Sequence, residues 1–342
     1  MTPDAAAAVA ELSSVDAASF HGEVVPAAEP VVLRGLVRNW PVLAAEYSGD
    51  QAWADYLAAF STGQPIETFH ADAGTGGLFS FSDDLERFSF GRSQQTLAEL
   101  LTLLLSPERP ATSRYCYGGA INVPQHLPDF ASAHANPLLG PEIEQLVSVW
   151  LGTETRIPAH WDLPQNLACV TRGRRRFTLF PISQVPNLYI GPLDITIAGQ
   201  PSSLVDPYNP DLTRFPRFAE AARHARVAEL GPGDALFIPS LWLHHVESLD
   251  PIGMLVNFWW RVGATGERFT PLHSLLHAIL SLKDLPQTER LAWRRLFDHY
   301  IFRPDDADPA VHLPAAKRGV LGDLSPEQAK NLRQFLAHRL SQ

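Results

Sequence analysis

From residue 147 to residue 262 the chain is a series of short β-rich runs separated by glycine and proline. No other feature constrains the fold as much. The runs cover 147–152, 166–172, 176–180, 225–230, 235–239 and 254–262. Each is shorter than a typical helix and rich in Val, Leu, Phe, Ile or Thr, so each reads as a strand. Gly231-Pro232-Gly233-Asp234 is a strong turn signal ahead of one run. Regular short strands with this punctuation predict a β-sandwich or barrel. The stretch 201–218 carries Pro201, Pro207, Pro210 and Pro216 and reads as a long ordered loop over one end of it.

The flanks differ. The first 110 residues are mixed, with strands expected at Val31–Leu33, 78–81 and 114–117 and helices at 53–60 and 96–105. Beyond Gly266 the pattern is helical. Leu272, Leu275, Leu276, Ile279 and Leu280 recur at helical spacing, as do Trp293, Leu296, Phe297, Tyr300 and Ile301. Ser325-Pro326-Glu327-Gln328 is a helix start, with a capping Ser, Pro in the first turn and Gln three residues on. The expected organisation is an N-terminal segment, 1–110, packed on a β core, 111–263, followed by a helical region, 264–342. The apolar helices of that last region either close one end of the barrel or pair with a second copy; we favour a homodimer.

Composition narrows the function classes. Apolar residues make up 45% of the chain and charged residues 19%, so a packed core is expected rather than disorder. The net charge of -10 argues against broad affinity for nucleic acid. Two cysteines, Cys116 and Cys169, are too few for a disulfide framework and fit a reducing compartment. The N-terminus lacks a basic signal-peptide region, and the apolar run 97–105 is far short of the ~20 residues that span a bilayer. A cytoplasmic protein without membrane attachment is expected.

His160-Trp161-Asp162 carries the chemistry. On a strand, residues i and i+2 share a side, so His160 and Asp162 can grip one ion. Such a pair alone also arises by chance among 13 histidines. A second histidine from a later strand completes a set, and His244 supplies it. Its neighbour His245 is the rival; alternation lets only one point inward, and the spacing from Pro239 and Trp242 favours His244. His70, His224 and His277 have no partner pattern and read as structural or exposed. Two imidazoles and one carboxylate on one face of Fe(II) leave the opposite face open, which suits O2 activation beside a co-substrate.

Wider motifs surround the ligands: Pro158-Ala159-His160-Trp161-Asp162, Gln165-Asn166, Leu179-Phe180-Pro181, Asn209-Pro210-Asp211, Arg214-Phe215-Pro216, Ile238-Pro239, His244-His245-Val246-Glu247-Ser248-Leu249 and Val256-Asn257-Phe258-Trp259. With them, residues 147–262 resemble the JmjC and cupin-like branch of the Fe(II)/2-oxoglutarate-dependent oxygenases. Within that branch the pattern resembles that of the asparaginyl hydroxylases. Pro30–Gly35 with Trp40-Pro41 resembles the N-terminal segment of that family, and the helical C-terminus resembles its dimerising region in character.

The resemblance implies a double-stranded β-helix, the jelly-roll of the cupins, mainly β with flanking helices. It implies Fe(II) held by His160, Asp162 and His244, with 2-oxoglutarate decarboxylated to succinate and CO2 while a substrate is hydroxylated. The distal carboxylate of 2-oxoglutarate meets a lysine in close relatives; Arg175, in Gly173-Arg174-Arg175-Arg176, holds the matching position and can pair bidentately. Where relatives carry a threonine hydroxyl, this chain has Ile157, so Tyr115 or Tyr117 is the expected donor. Asn166 and Asn257 match positions that hydrogen-bond near the inner end of the co-substrate. Trp259 reads as a core aromatic packed on the metal-bearing strands.

Two rival readings stay open. One is a catalytically silent cupin-like protein that binds a metal or ligand, its co-substrate pocket altered by Arg175 and Ile157. The other is a cupin enzyme that uses no 2-oxo acid, against which the two-histidine, one-aspartate set speaks. The substrate is expected to be a protein side chain or a small molecule.

Overall fold

The strand runs pair because each offers one apolar face to a common interior. The structure, a computed structural model, describes residues 6–82, 84–197, 199–261 and 271–341. Its strands, in chain order, are β1 (Ala7–Ala8), β2 (Ala10–Leu12), β3 (Val31–Leu33), β4 (Ile66–Ala71), β5 (Gly91–Gln95), β6 (Tyr115–Asn122), β7 (Leu146–Gly152), β8 (Arg156–Trp161), β9 (Gln165–Arg172), β10 (Arg175–Phe180), β11 (Arg226–Leu230), β12 (Ala235–Ile238), β13 (Leu243–Ser248) and β14 (Gly253–Trp260). They form two sheets. The smaller runs β1-β11-β10-β13-β8, and the larger β2-β3-β12-β9-β14-β7-β6-β4-β5. From β7 onward the chain passes back and forth between the sheets, and every pairing among β7 to β14 is antiparallel. This is a cupin-type jelly-roll, mainly β with flanking helices.

Alternation sorts the side chains. Phe177, Leu179 and Val246 of the smaller sheet meet Ala168, Val170, Leu236, Ile238 and Leu255 of the larger between the two layers. The opposite face of the larger sheet, including Leu167, Cys169, Val256 and Phe258, packs on N-terminal helices through Trp53, Leu57 and Leu100. The helix Leu97–Leu105 shows why that layer forms. Thr96 and Glu99 close a capping box, and Leu97, Leu100, Leu101 and Leu104 place one buried stripe on the sheet. The turn before β12 is locked by Asp234, whose carboxylate accepts from Arg34 at 2.6 Å and from the Gly35 amide at 2.9 Å. Gly233 sits there at φ +97°, a conformation glycine adopts without steric cost.

Some local expectations change. The stretch 78–81 makes only two isolated bridges, Leu78 to Arg156 and Phe81 to Phe88. It meets the edge of the smaller sheet at one point and then reverses, so no strand develops. β5 was not expected, because its sequence, Gly-Arg-Ser-Gln-Gln, has no apolar alternation; as an edge strand it needs none.

Residues Met1–Gly266 and Glu267–Gln342 are separate compact units. The second contains the helices Pro271–Leu282, Gln287–Phe297 and Pro326–Leu340, the last with the capping box of Ser325 and Gln328 in place. None of the three buries a residue. No helix among the described residues is long and apolar enough to cross a membrane.

Candidate metal centre

β8 and β13 are neighbours, and their register sets His160 opposite His244. One residue later on β13 the register slips, so that Pro158 and Ala159 face His245 alone before Ile157 pairs with Val246. Such a bulge re-aims side chains. Asp162 follows directly after β8. Its turn is stitched to the turn before β13: the Leu241 amide donates to the Asp162 carbonyl at 3.0 Å, and Ser240 Oγ donates to the Leu163 carbonyl at 2.7 Å. These two bonds fix the aspartate relative to His244.

The three side chains converge. His244 Nε2 lies 3.7 Å from Asp162 Oδ2, and the imidazole centroids of His160 and His244 are 4.4 Å apart. One donor atom from each of His160, Asp162 and His244 falls within 4.8 Å of the others, the one such set of three among the described residues. Both rings are held in the same way. His160 Nδ1 bonds to the Pro158 carbonyl at 2.8 Å, and His244 Nδ1 to the Trp242 carbonyl at 3.0 Å. A carbonyl can only accept, so each Nδ1 carries the proton and each Nε2 presents a lone pair. Burial, reinforced by the neighbouring His160, lowers the His244 pKa to about 4, against the opposing pull of Asp162. The ring is therefore neutral near pH 7, as a ligand must be.

The carboxylate is positioned by neighbours. Asp162 Oδ2 accepts from Asn166 Nδ2 at 3.2 Å and from Trp259 Nε1 at 3.1 Å, and Asn166 Oδ1 in turn accepts from Asn257 Nδ2. Of the two residues read from the sequence as lying near the co-substrate, Asn166 donates to the aspartate and Asn257 donates to Asn166. Trp259 is more than the core aromatic expected: its indole N–H holds the metal-facing carboxylate. Its parity with Asn257 on β14 puts both on one face.

Arg175 shares the inner face of β10 with Phe177 and Leu179 and is only 6% exposed. Among the described residues no carboxylate pairs with it, and its Nε is buried without a partner. Burial lowers its pKa to about 10. An unpaired buried guanidinium calls for an anion. Tyr115 and Tyr117 share one face of β6. Tyr117 is the deeper, stacked on Phe69 at 4.6 Å and edge-on to Phe79 at 4.8 Å, in a cluster that Ile157, Trp150 and Tyr115 also touch.

His245 points to the other face of β13. It lies fully buried near Tyr208 of the 201–218 loop, with ring centroids 6.0 Å apart, and neither ring nitrogen has a partner. Burial, with help from Arg156, lowers its pKa to about 3. It takes no part in the donor set.

A model of the cupin-like domain family matches residues 17–265. The chain belongs to that family. This cupin-like protein is 26% identical to lysine-specific demethylase 8 of Xenopus tropicalis over 266 residues, 75% of this chain and 54% of the relative. It is 37% identical to lysine-specific demethylase JMJ31 of Arabidopsis thaliana over 116 residues, 34% of this chain and 21% of the relative. It is 35% identical to tRNA wybutosine-synthesizing protein 5 of Gallus gallus over 102 residues, 30% of this chain and 29% of the relative. The chain thus spans about half or less of these relatives. The resemblance to Fe(II)/2-oxoglutarate-dependent oxygenases read from the sequence implies iron and 2-oxoglutarate as the two groups to be held. The residues of this cupin-like protein fit those two groups: two imidazoles and a carboxylate for a divalent iron, and a buried guanidinium without a carboxylate partner for an anion.

Proposed function

We propose that this cupin-like protein is an Fe(II)- and 2-oxoglutarate-dependent oxygenase that hydroxylates a protein side chain or a small molecule. The observation that carries the reading is the convergence of His160, Asp162 and His244 within 4.8 Å, with both Nδ1 atoms tied to backbone carbonyls. Bound iron and the 2-oxo acid would supply O2 activation coupled to decarboxylation. The chain supplies the rest. His160 and His244 offer nitrogen donors, and Asp162 an oxygen donor whose orientation Trp259 and Asn166 fix. Arg175 balances the distal carboxylate of the co-substrate, and the apolar walls of the barrel exclude water.

Purified protein given Fe(II), 2-oxoglutarate and O2 is expected to release succinate even without its prime substrate. No succinate, together with no 2-oxoglutarate binding by calorimetry, would overturn the reading. That outcome favours a silent cupin-like binder, for which Ile157, apolar where relatives place a hydroxyl, is the supporting observation.

The same reading includes a homodimer through the C-terminal helices. It is supported by their unburied apolar residues, among them Leu280, Leu291, Trp293, Phe302 and Phe335, all exposed. A cytoplasmic location is supported by the buried free thiols of Cys116 and Cys169. The net charge of -10 disfavours a nucleic-acid substrate.

A further inference from the structure

A groove lies on the outer face of the larger sheet, outside the barrel that holds the metal ligands. Its volume is about 710 Å3, between the entry to β7 and the end of β14. Leu138, Leu139, Val147 and Phe258 form an apolar, buried floor. The rim is exposed and carries the carboxylates of Glu142 and Glu144. Among the described residues no lysine or arginine lines it, and neither carboxylate has an ion-pair partner.

Local hydrogen bonds hold the groove open. Asn136 Oδ1 accepts from the Leu138 amide at 2.9 Å, and His21 Nε2 donates to the Leu138 carbonyl at 3.0 Å. The Gly140 carbonyl accepts from the Ile143 amide at 3.1 Å and from Gln145 Nε2 at 3.3 Å. The Glu142 carboxylate lies against the bare Cα of Gly140, where a Cβ would collide with it.

The groove sits directly behind the metal site. On β7 and β14, Leu146 stands opposite Trp259 and Val147 opposite Phe258. Opposed residues share a side of a sheet, and successive residues alternate. Trp259 holds Asp162, so the Leu146–Trp259 side is the metal side and the Val147–Phe258 side is the groove. One thickness of sheet separates the two. Leu146, 49% exposed, marks the edge between them. A chain passing over that edge places one segment near the metal and the next in the groove.

The lining selects its occupant. The two carboxylates belong to no metal-type donor set among the described residues, so a bare divalent ion has no site here. An apolar floor with unpaired carboxylates on its rim suits a hydrocarbon stem that ends in a cation, the form of lysine and arginine side chains. The net charge of -10 adds long-range attraction for a basic segment.

We propose that this groove is a docking site for a basic segment of a polypeptide substrate. A lysine or arginine stem lies on the apolar floor, with its cation beside Glu142 and Glu144. The role of that polypeptide rests on the oxygenase reading, which the inference narrows to a protein substrate.

The test uses the full chain and fluorescence-labelled, end-blocked Gly-Leu-Xaa-Leu-Gly peptides, with lysine, norleucine or glutamate at Xaa, followed by anisotropy. The lysine peptide is expected to bind about 10-fold tighter than the norleucine peptide, the worth of two exposed charge pairs. The glutamate peptide binds weakest. The preference for lysine shrinks as salt rises from about 0.02 M to about 0.5 M. Glu142→Gln combined with Glu144→Gln brings lysine within about 2-fold of norleucine. The double variant leaves the norleucine peptide, the melting temperature and succinate release unchanged. Ile143→Ser weakens the lysine and norleucine peptides alike, by about 5-fold. If the double variant keeps the lysine preference, or the unaltered protein shows none, while succinate is still released, the groove is wrong and the oxygenase reading stands. If the peptides behave as expected but no succinate forms, the docking site stands and its link to a substrate falls with the oxygenase reading. A dimer that the double variant breaks, with peptide binding unaffected, would put a second copy in the groove and overturn the proposal.

Discussion

His244 and His245 are adjacent on one strand, and both are fully or almost fully buried, yet their surroundings differ completely. On the inner face, His244 has one nitrogen tied to a backbone carbonyl and the other aimed at Asp162. On the outer face, His245 has no partner at either nitrogen, while its neighbours are the Tyr208 ring and the charges of Arg156 and Arg176. Burial alone therefore does not make a ligand. What separates the two is a fixed tautomer and a converging carboxylate, which only the inner face provides.

The largest effect expected from this contrast follows loss of a donor. His244→Ala or Asp162→Ala should lower Fe(II) affinity by more than ~100-fold, beyond the 10–100-fold typical of residues that merely orient a ligand. Anaerobic titration measures it; affinity within 10-fold of the unaltered protein would break the assignment of the inner face. Next is Trp259→Phe, which keeps the ring and removes the N–H that holds Asp162. It should weaken metal binding ~10-fold or more without unfolding the chain, and unchanged affinity would mean that the indole only packs.

The third expectation concerns pH. Both His244 and His245 resist protonation in the folded, metal-free protein, with pKa values of about 4 and about 3 against 6.5 when unperturbed. The unfolded chain takes up protons near pH 6.5 and the folded chain does not. Stability is thus unaffected above that pH and falls as the pH drops from 6.5 toward 4, by ~1 kcal/mol per pH unit for each histidine. Denaturant midpoints of metal-free protein between pH 7 and 4 measure the slope. His245→Gln removes one contributor and should flatten it, while Fe(II) added below pH 6.5 should oppose the loss through His244 alone.

The smallest expected effect sharpens the comparison most. His245→Gln should leave Fe(II) affinity within ~3-fold, since nothing on the outer face reaches the donor set. A loss equal to that of His244→Ala would exchange the roles of the two residues.

Much of this architecture is legible in the chain itself. The punctuated runs after residue 147 mark the strands, and the helical spacing after 266 marks the helices, because burial of one face imposes period 2 on strands and about 3.6 on helices. His160, Asp162 and His244 are readable for a similar reason: alternation constrains which neighbours share a side. Trp259 escaped because an indole that packs and an indole that donates have the same letter and the same parity. The strand Gly91–Gln95 escaped because an edge needs no apolar pattern. What only the tertiary structure decided are the meetings across sheets and turns: the slip between His244 and Val246, the Leu241 amide on the Asp162 carbonyl, and the cross-strand pairing of Arg175 with Ser248. Local sequence dictates which way a side chain faces. It does not dictate which distant residue stands opposite, because that depends on register, and register is settled by the packing of the two sheets together.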